Sequence, residues 1–345
     1  MEKEFNFSCV DYVNRIKVPD VFDFNTSKQF VAWGENNDAP KIFWDNYLKN
    51  SNLQAIINTM MDYIVGKGIN TTFHPINENG ESFEDTLKKC IFDYILFGGF
   101  TLEGIRNKAG EIVRLNYLNV MNIRVNEDLT TAFINPKWGS YTTKSTVKLP
   151  LYDPKEKQVH FVFYFRGNIT RNINPVPCYI SALKSIEILN NTRTFHLRNL
   201  ENNFTSSVLI SLNGTSIKAN ELQEIKRKLE GQNTGSENAG KILLVNNANS
   251  EGSVTVERLQ ADNAGDLYQQ LAESSVDDIY AAFRINKVLI GANIPTGFSK
   301  VEYENIYAIY KATVIEPLQQ TIIKEIGKLG VGVEFKPFKI DFADE

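Results

Sequence analysis

Pro175-Val176-Pro177-Cys178-Tyr179-Ile180-Ser181-Ala182-Leu183 separates two kinds of sequence in this 345-residue chain. Two prolines in three residues cannot continue a strand ladder and impose an extended entry, so they end whatever sheet precedes them. Beyond them Leu183, Ile186, Leu189, Leu197 and Leu200 keep helical spacing, which predicts a helix over 181–201, roughly 30 Å long at 1.5 Å per residue. Upstream the apolar pattern is extended over 100–106, 112–118 and 159–165, with a turn at Asn107 to Gly110 between the first two runs.

Further upstream two helices are expected. Ser51 with Gln54 reads as a capping box for the stripe Leu53, Ile56, Ile57, Met60, Met61 and Ile64, which Gly66 stops. Ser82 with Asp85 opens the second, with Phe83, Leu87, Ile91, Tyr94 and Ile95 as its stripe and Gly98 and Gly99 at its end. The first fifty residues read as aromatic and irregular, with a polar turn at Trp33 to Pro40. Downstream of the long helix comes a compact α/β insert: strands at 206–212, 241–245 and 254–259, and a short helix at 221–230. A second long helix is expected over 262–284, carrying few apolar residues (Leu267, Leu271, Ile279, Phe283), and then a loop over 286–299 whose apolar start is anchored. Ser299 and Glu302 cap a final helix over 300–329, which Pro317 bends near 313–316 because it removes a backbone bond and clashes with the preceding turn, and a strand follows over 331–341. The fold class is α+β.

Composition narrows the function. Hydrophobic residues at 42% and charged residues at 23% place the chain among folded globular proteins. Net charge is −4, so no whole-chain basic field draws nucleic acid and any DNA contact is local. No apolar run approaches the roughly 20 residues that cross a bilayer, and the acidic start Met1-Glu2-Lys3-Glu4 does not resemble a secretion signal, so the chain is expected in the cytosol where it is made. Cys9, Cys90 and Cys178 are too few and too scattered for a disulfide framework, and His74, His160 and His196 offer no metal-ligand spacing. No nucleophile elbow or phosphate loop is present; Gly66-Lys67-Gly68 lacks the required spacing. No catalytic or metal-binding residue and no cofactor is expected.

The order of elements and a set of local runs resemble the portal proteins of tailed bacteriophages, in particular short portals that lack a C-terminal crown. The carrying runs are Trp33-Gly34-Glu35-Asn36-Asn37, Phe97-Gly98-Gly99-Phe100 leading to Asn122-Ile123-Arg124, the Pro175 to Leu183 run with Phe195-His196-Leu197, and Ala281-Ala282-Phe283-Arg284-Ile285 leading to Leu289-Ile290-Gly291 and the helix with Pro317. The resemblance implies a portal-type fold: a wing from residues 1–174 and 300–345, stem helices at 175–202 and 262–285, a clip at 203–261 and a tunnel loop at 286–299. It implies a structural ring of about twelve copies at one capsid vertex, assembled in the host cytoplasm, through which double-stranded DNA is packaged and ejected. Its implied partners are the packaging motor (terminase), which carries the ATP hydrolysis site, the major capsid protein and a head–tail adaptor, with no membrane. A monomeric interaction scaffold is the alternative, and an enzyme without a recognisable motif a more distant one.

On that resemblance the charges acquire roles. The first stem helix carries Lys184, Arg193 and Arg198 against Glu187 and the second Asp262, Asp266, Glu273, Asp277 and Asp278 against Arg284, an excess of opposite signs that would meet between neighbouring subunits; two ordinary solvated faces are the bland alternative. Lys287, Asn293 and Lys300 in or beside the tunnel loop are candidates to face DNA, and Lys226, Arg227 and Lys228 form a basic cluster on the clip where a motor or adaptor could dock.

Overall fold

The computed structural model describes residues 22–24, 29–77, 79–138, 146–167, 172–201, 207–213, 242–247, 255–259, 264–292 and 299–338. The chain divides into two compact units, Met1–Leu183 with Tyr280–Glu345, and Lys184–Ile279.

In the larger unit a short antiparallel pair, Asp23–Phe24 with Ala32–Trp33, precedes helix α1 at Ala39–Lys49, where the sequence suggested irregular chain. Pro40 lies in its first turn, where the missing N–H would have had no intrahelical partner. Helix α2 follows at Ser51–Val65, and its cap is Asn50 rather than Ser51: the Asn50 side chain accepts from the Leu53 N–H at 3.1 Å. The expected box with Gln54 is replaced by a better cap one residue earlier, so Ser51 becomes the first helical residue. Leu53, Ile56, Ile57, Met60 and Ile64 are buried as their spacing predicts. Helix α3 spans Phe83–Phe97 and has the expected capping box, with Ser82 Oγ accepting from the Asp85 N–H at 3.2 Å and Asp85 Oδ2 accepting from the Ser82 N–H at 3.1 Å.

Gly98 takes a positive φ of 86° at the end of α3, and a Cβ there would lie 2.3 Å from the Val176 carbonyl oxygen. At Gly99 a Cβ would strike the Phe165 carbonyl oxygen and the Pro175 ring. The two glycines therefore let the double-proline segment lie directly on the end of α3. Strand Gly99–Arg106 then forms the centre of an antiparallel sheet between Ile112–Leu118 and His160–Arg166. Its Phe100 and Leu102 are fully buried. A second antiparallel sheet, Ile123–Val125, Thr131–Ile134 and Val147–Pro150, was not anticipated; strands of three or four residues are too short to show alternation.

The chain returns to this unit at the end. Helix α6, Lys300–Tyr310, passes through a π-helical turn at Lys311–Ile315 into α7, Glu316–Gly327, so the bend expected ahead of Pro317 takes the form of a widened turn. Strand Val333–Phe335 pairs antiparallel with Ile69–Thr71 and joins the chain end to the segment after α2. The strand is shorter than the expected 331–341: residues 331, 332, 337 and 338 lie outside it, Lys336 forms an isolated bridge with Gly66, and 339–341 lie outside the described residues.

In the smaller unit α4 (Leu183–Glu201) and α5 (Ala264–Phe283) supply the helices, and three strands form a sheet in which Ser207–Asn213 is central, parallel to Ile242–Asn247 and antiparallel to Thr255–Leu259. Ser185 and Asp278 join the two helices through a hydrogen bond of 2.7 Å. Ile186, Leu189, Thr192, Ser275 and Ile279 are buried, whereas Leu197 and Leu271 are 54% and 41% exposed although both belong to the expected apolar stripes. The 221–230 helix lies outside the described residues. No helix among the described residues is long and apolar enough to cross a membrane.

Candidate functional site

The segment 286–299 is held at both feet by one side chain. Asn286 caps a short 3-10 turn, Lys287–Ile290, accepting from the Val288 N–H at 3.0 Å, and Gly291 ends it in the left-handed region. Val288 and Leu289 are buried, so the apolar start is anchored as its sequence suggests. On the far side Ser299 and Glu302 form the expected capping box of α6. The Tyr63 hydroxyl, from the last turn of α2, donates to the Leu289 carbonyl at 2.6 Å and lies 2.9 Å from the Tyr303 hydroxyl. Tyr63 has one proton and gives it to Leu289, so Tyr303 donates to Tyr63. Tyr307 and Phe338 pack on the Tyr63 ring at centroid distances of 5.2 and 4.8 Å. Burial, then the Tyr303 bond, hold the Tyr63 hydroxyl far above its ordinary pKa, so the clamp stays protonated. Nothing in the sequence pattern pointed to Tyr63, which lies 226 residues from Leu289.

The candidate DNA-facing residues flank this clamp. Lys287 is half-buried with its ammonium 5.6 Å from the centre of the Tyr280 ring, and Lys300 is exposed in the first turn of α6. Asn293 lies outside the described residues, as do Lys226, Arg227 and Lys228.

In the smaller unit α4 carries Lys184, Arg193 and Arg198 with Glu187 and Glu201, while every charged residue of α5 is acidic. Lys184 and Arg193 are exposed on α4, together with His196 and Leu197. Glu273, Asp277 and Asp278 are exposed on α5, with Leu271. Glu273 accepts from Gln269 at 2.9 Å. Asp278 is engaged inside its own chain by Ser185, so of the expected acidic contacts it already has a partner. The Arg198 and Asp266 side chains are outside the described set. Phe195 packs on Tyr268 with ring centres 4.9 Å apart and joins the far ends of α4 and α5.

Two buried charged groups hold the larger unit. Arg124 is 1% exposed; its guanidinium donates to the Asn37 side chain, to the Asn37 carbonyl at 3.0 Å and to the Met121 and Ile123 carbonyls at 3.1 and 2.6 Å. It also lies 5.4 and 4.9 Å from the rings of Trp33 and Trp138. Burial pushes its pKa down to about 9, and the neutral oxygens around it hold the cation without a carboxylate in hydrogen-bond contact. Asn37, at φ 60°, also accepts from the Trp33 N–H at 3.0 Å, so the Trp33 to Asn37 and Asn122 to Arg124 runs are two halves of one structural joint. Asp93, in α3, accepts from the Tyr117 hydroxyl at 2.9 Å and the Val120 N–H at 3.3 Å, and burial pushes its carboxyl up to about 7. Among the described residues no cluster of His, Cys, Asp or Glu could hold a metal ion.

A family model described as phage portal protein matches residues 72–344. A comparison with curated proteins found no match. Among solved structures, a chain of the virion of a native gene transfer agent particle is 14% identical, with a TM-score of 0.56 over 87% of this chain and 83% of that one. A chain of the neck of the native particle, computed with C12 symmetry, is 12% identical, with a TM-score of 0.57 over 86% and 83%. An HK97-family phage portal protein from Corynebacterium diphtheriae is 12% identical, with a TM-score of 0.54 over 85% of this chain and 94% of that chain.

Proposed function

The chain belongs to the phage portal protein family, a family of structural proteins that serve at a capsid vertex, and on that footing we propose that it closes with copies of itself into a ring around a channel for double-stranded DNA. Residues 1–174 and 300–345 act as the wing, α4 and α5 as the stem (175–202 and 262–285), the intervening 203–261 as the clip and 286–299 as the tunnel loop. The observation that carries the ring is the pair of exposed leucines in the smaller unit: Leu197 lies one turn beyond Arg193 and beside His196 on α4, and Leu271 on the acid-rich α5.

Two copies that matched α4 to α4 would oppose like charges, whereas α4 against a neighbour's α5 brings opposite signs and both leucines together. Repeated head to tail about an axis, that contact builds a ring when its rotation closes. Exposed ion pairs contribute only about 0.2–1 kcal/mol each, so they set register while leucine burial supplies affinity.

Lys287 and Lys300, repeated around the axis, give a sparse positive belt. DNA carries one phosphate charge per roughly 1.7 Å of axis, and a dense basic lining would bind it too strongly to slide. The Tyr63 clamp fixes where that belt begins. Lys226, Arg227 and Lys228 dock the packaging motor and later the adaptor, the particle is assembled in the host cytoplasm, and the protein ends in the virion.

Light scattering on the purified chain tests the ring: a particle of several hundred kDa supports it, and a stable 39.2 kDa particle at high concentration supports the monomeric scaffold instead.

A further inference from the structure

Helix α5 ends in an arrangement that its sequence does not favour. The Ile285 N–H donates to the Tyr280 carbonyl at 3.1 Å and the Arg284 N–H to the Ala281 carbonyl at 3.0 Å, the paired closing bonds of a helix whose next residue turns left-handed. Glycine is the residue this position prefers, because a Cβ crowds the following carbonyl. Here the position is Arg284, at φ 54°; the other non-glycine residues at positive φ among those described are Asn37 and Leu129. Neither the cap nor the burial of Ile285, which is 5% exposed, requires an arginine.

The reason lies 29 residues further on. Pro317 has no N–H, and the carbonyl four residues before it, the one it would bond in an α-helix, is that of Thr313. The Glu316 N–H bonds the Lys311 carbonyl, five residues back, so the π-turn does not supply the missing donor from that side. Arg284 Nη2 donates to the Thr313 carbonyl.

We propose that Arg284 is a positioning residue that straps the end of α5 to the bend between α6 and α7. A left-handed arginine is retained where glycine would cap better because its guanidinium supplies the hydrogen bond that Pro317 removes. The bend is then set from outside its own helix, and a displacement of the last turn of α5 is passed to the direction in which α7 leaves the π-turn. The inference concerns bonds within the larger unit and stands whether or not the chain forms a ring.

A double-mutant cycle read by hydrogen–deuterium exchange on the full chain tests the strap. Arg284→Ala and Arg284→Gly are each expected to speed exchange of the 314–320 amides, on the order of fivefold for a lost charge-assisted bond, with the α1–α3 amides unchanged. Arg284→Lys, which keeps a charged donor, is expected to restore part of the protection. In a Pro317→Ala background residue 317 can donate to Thr313 itself, and the same Arg284 replacements should leave exchange there unchanged. Arg284→Gly keeps the cap in its preferred residue, so it decides the outcome if the alanine variant does not fold. An equal increase with and without Pro317, or no local increase in either variant, overturns the strap.

Discussion

The helices α1 to α3 and the helices α4 and α5 are built from similar residues and use them differently. In the first group Leu53, Ile56, Ile57, Ile64, Leu87 and Ile91 are all fully buried within their own unit. In the second, burial is limited to one side of each helix near Ile186, Leu189 and Ile279, and Leu197 and Leu271 stay in solvent. The polar groups differ in the same way. The larger unit buries an arginine and an aspartate with all-neutral partners around them, which is tolerable only where the surroundings are fixed. The smaller unit keeps its described Lys, Arg and most acids exposed, with the acids concentrated on α5. The first group completes its burial internally; in the second, two described stripe residues, Leu197 and Leu271, stay exposed, and it is these that the proposed ring would cover.

The largest expected effect tests the self-sufficient side. Arg124→Ala removes four hydrogen bonds, takes this donor from the Asn37, Met121 and Ile123 carbonyls and leaves the Asn37 side chain only its Trp33 contact, so stability should fall by about 3–5 kcal/mol in a urea titration. A loss under about 1 kcal/mol would show that this joint is looser than its geometry.

Next in size is the pH dependence carried by Asp93. Its folded-state carboxyl sits at about 7, above the ordinary carboxylate value, so the native state binds a proton that the unfolded chain has released. Stability from this group is therefore fully present below about pH 4 and is lost as pH rises through about 7, by roughly 4 kcal/mol at most. Asp93→Asn should flatten the midpoint-versus-pH curve over that window; an unchanged slope would assign the dependence elsewhere.

Tyr63→Phe deletes the hydroxyl shared by Leu289 and Tyr303 and should cost about 1–2 kcal/mol, with faster amide exchange confined to 286–292 and 299–304. Smallest in energy, and sharpest for the comparison, are changes on the second group. Leu197→Ala and Leu271→Ala should alter single-chain stability by less than about 0.5 kcal/mol, whereas Ile57→Ala should cost about 2–5 kcal/mol. Reversing Glu273 and Asp277 to Lys should shift assembly at low salt and have little effect at high salt, where exposed pairs are screened.

Some of this was legible in residues near one another in sequence. The double proline, the two Ser-to-acid capping boxes and Pro317 are local chemistry, and each appears where expected, with Asn50 taking the cap assigned to Ser51 because both residue types serve and the earlier one comes first. Helix α1 was hidden because Pro40 and the polar residues before it serve equally as a turn or as a helix start. The strands at 123–150 were hidden by their length. The Tyr63 clamp, the Asn37 to Arg124 joint and the Arg284 strap join residues 226, 87 and 29 positions apart, and no local pattern encodes such pairings. The concentration of acids on α5 was visible in sequence, but not that Ser185 already occupies Asp278.

Negative-stain imaging of the purified chain, compared with a variant carrying Leu197→Asp and Leu271→Asp, tests the central claim most directly. The account predicts annuli with an open centre for the parent chain and well-folded single chains for the variant. Solitary particles from the parent at high concentration, or annuli that persist unchanged in the variant, would contradict it.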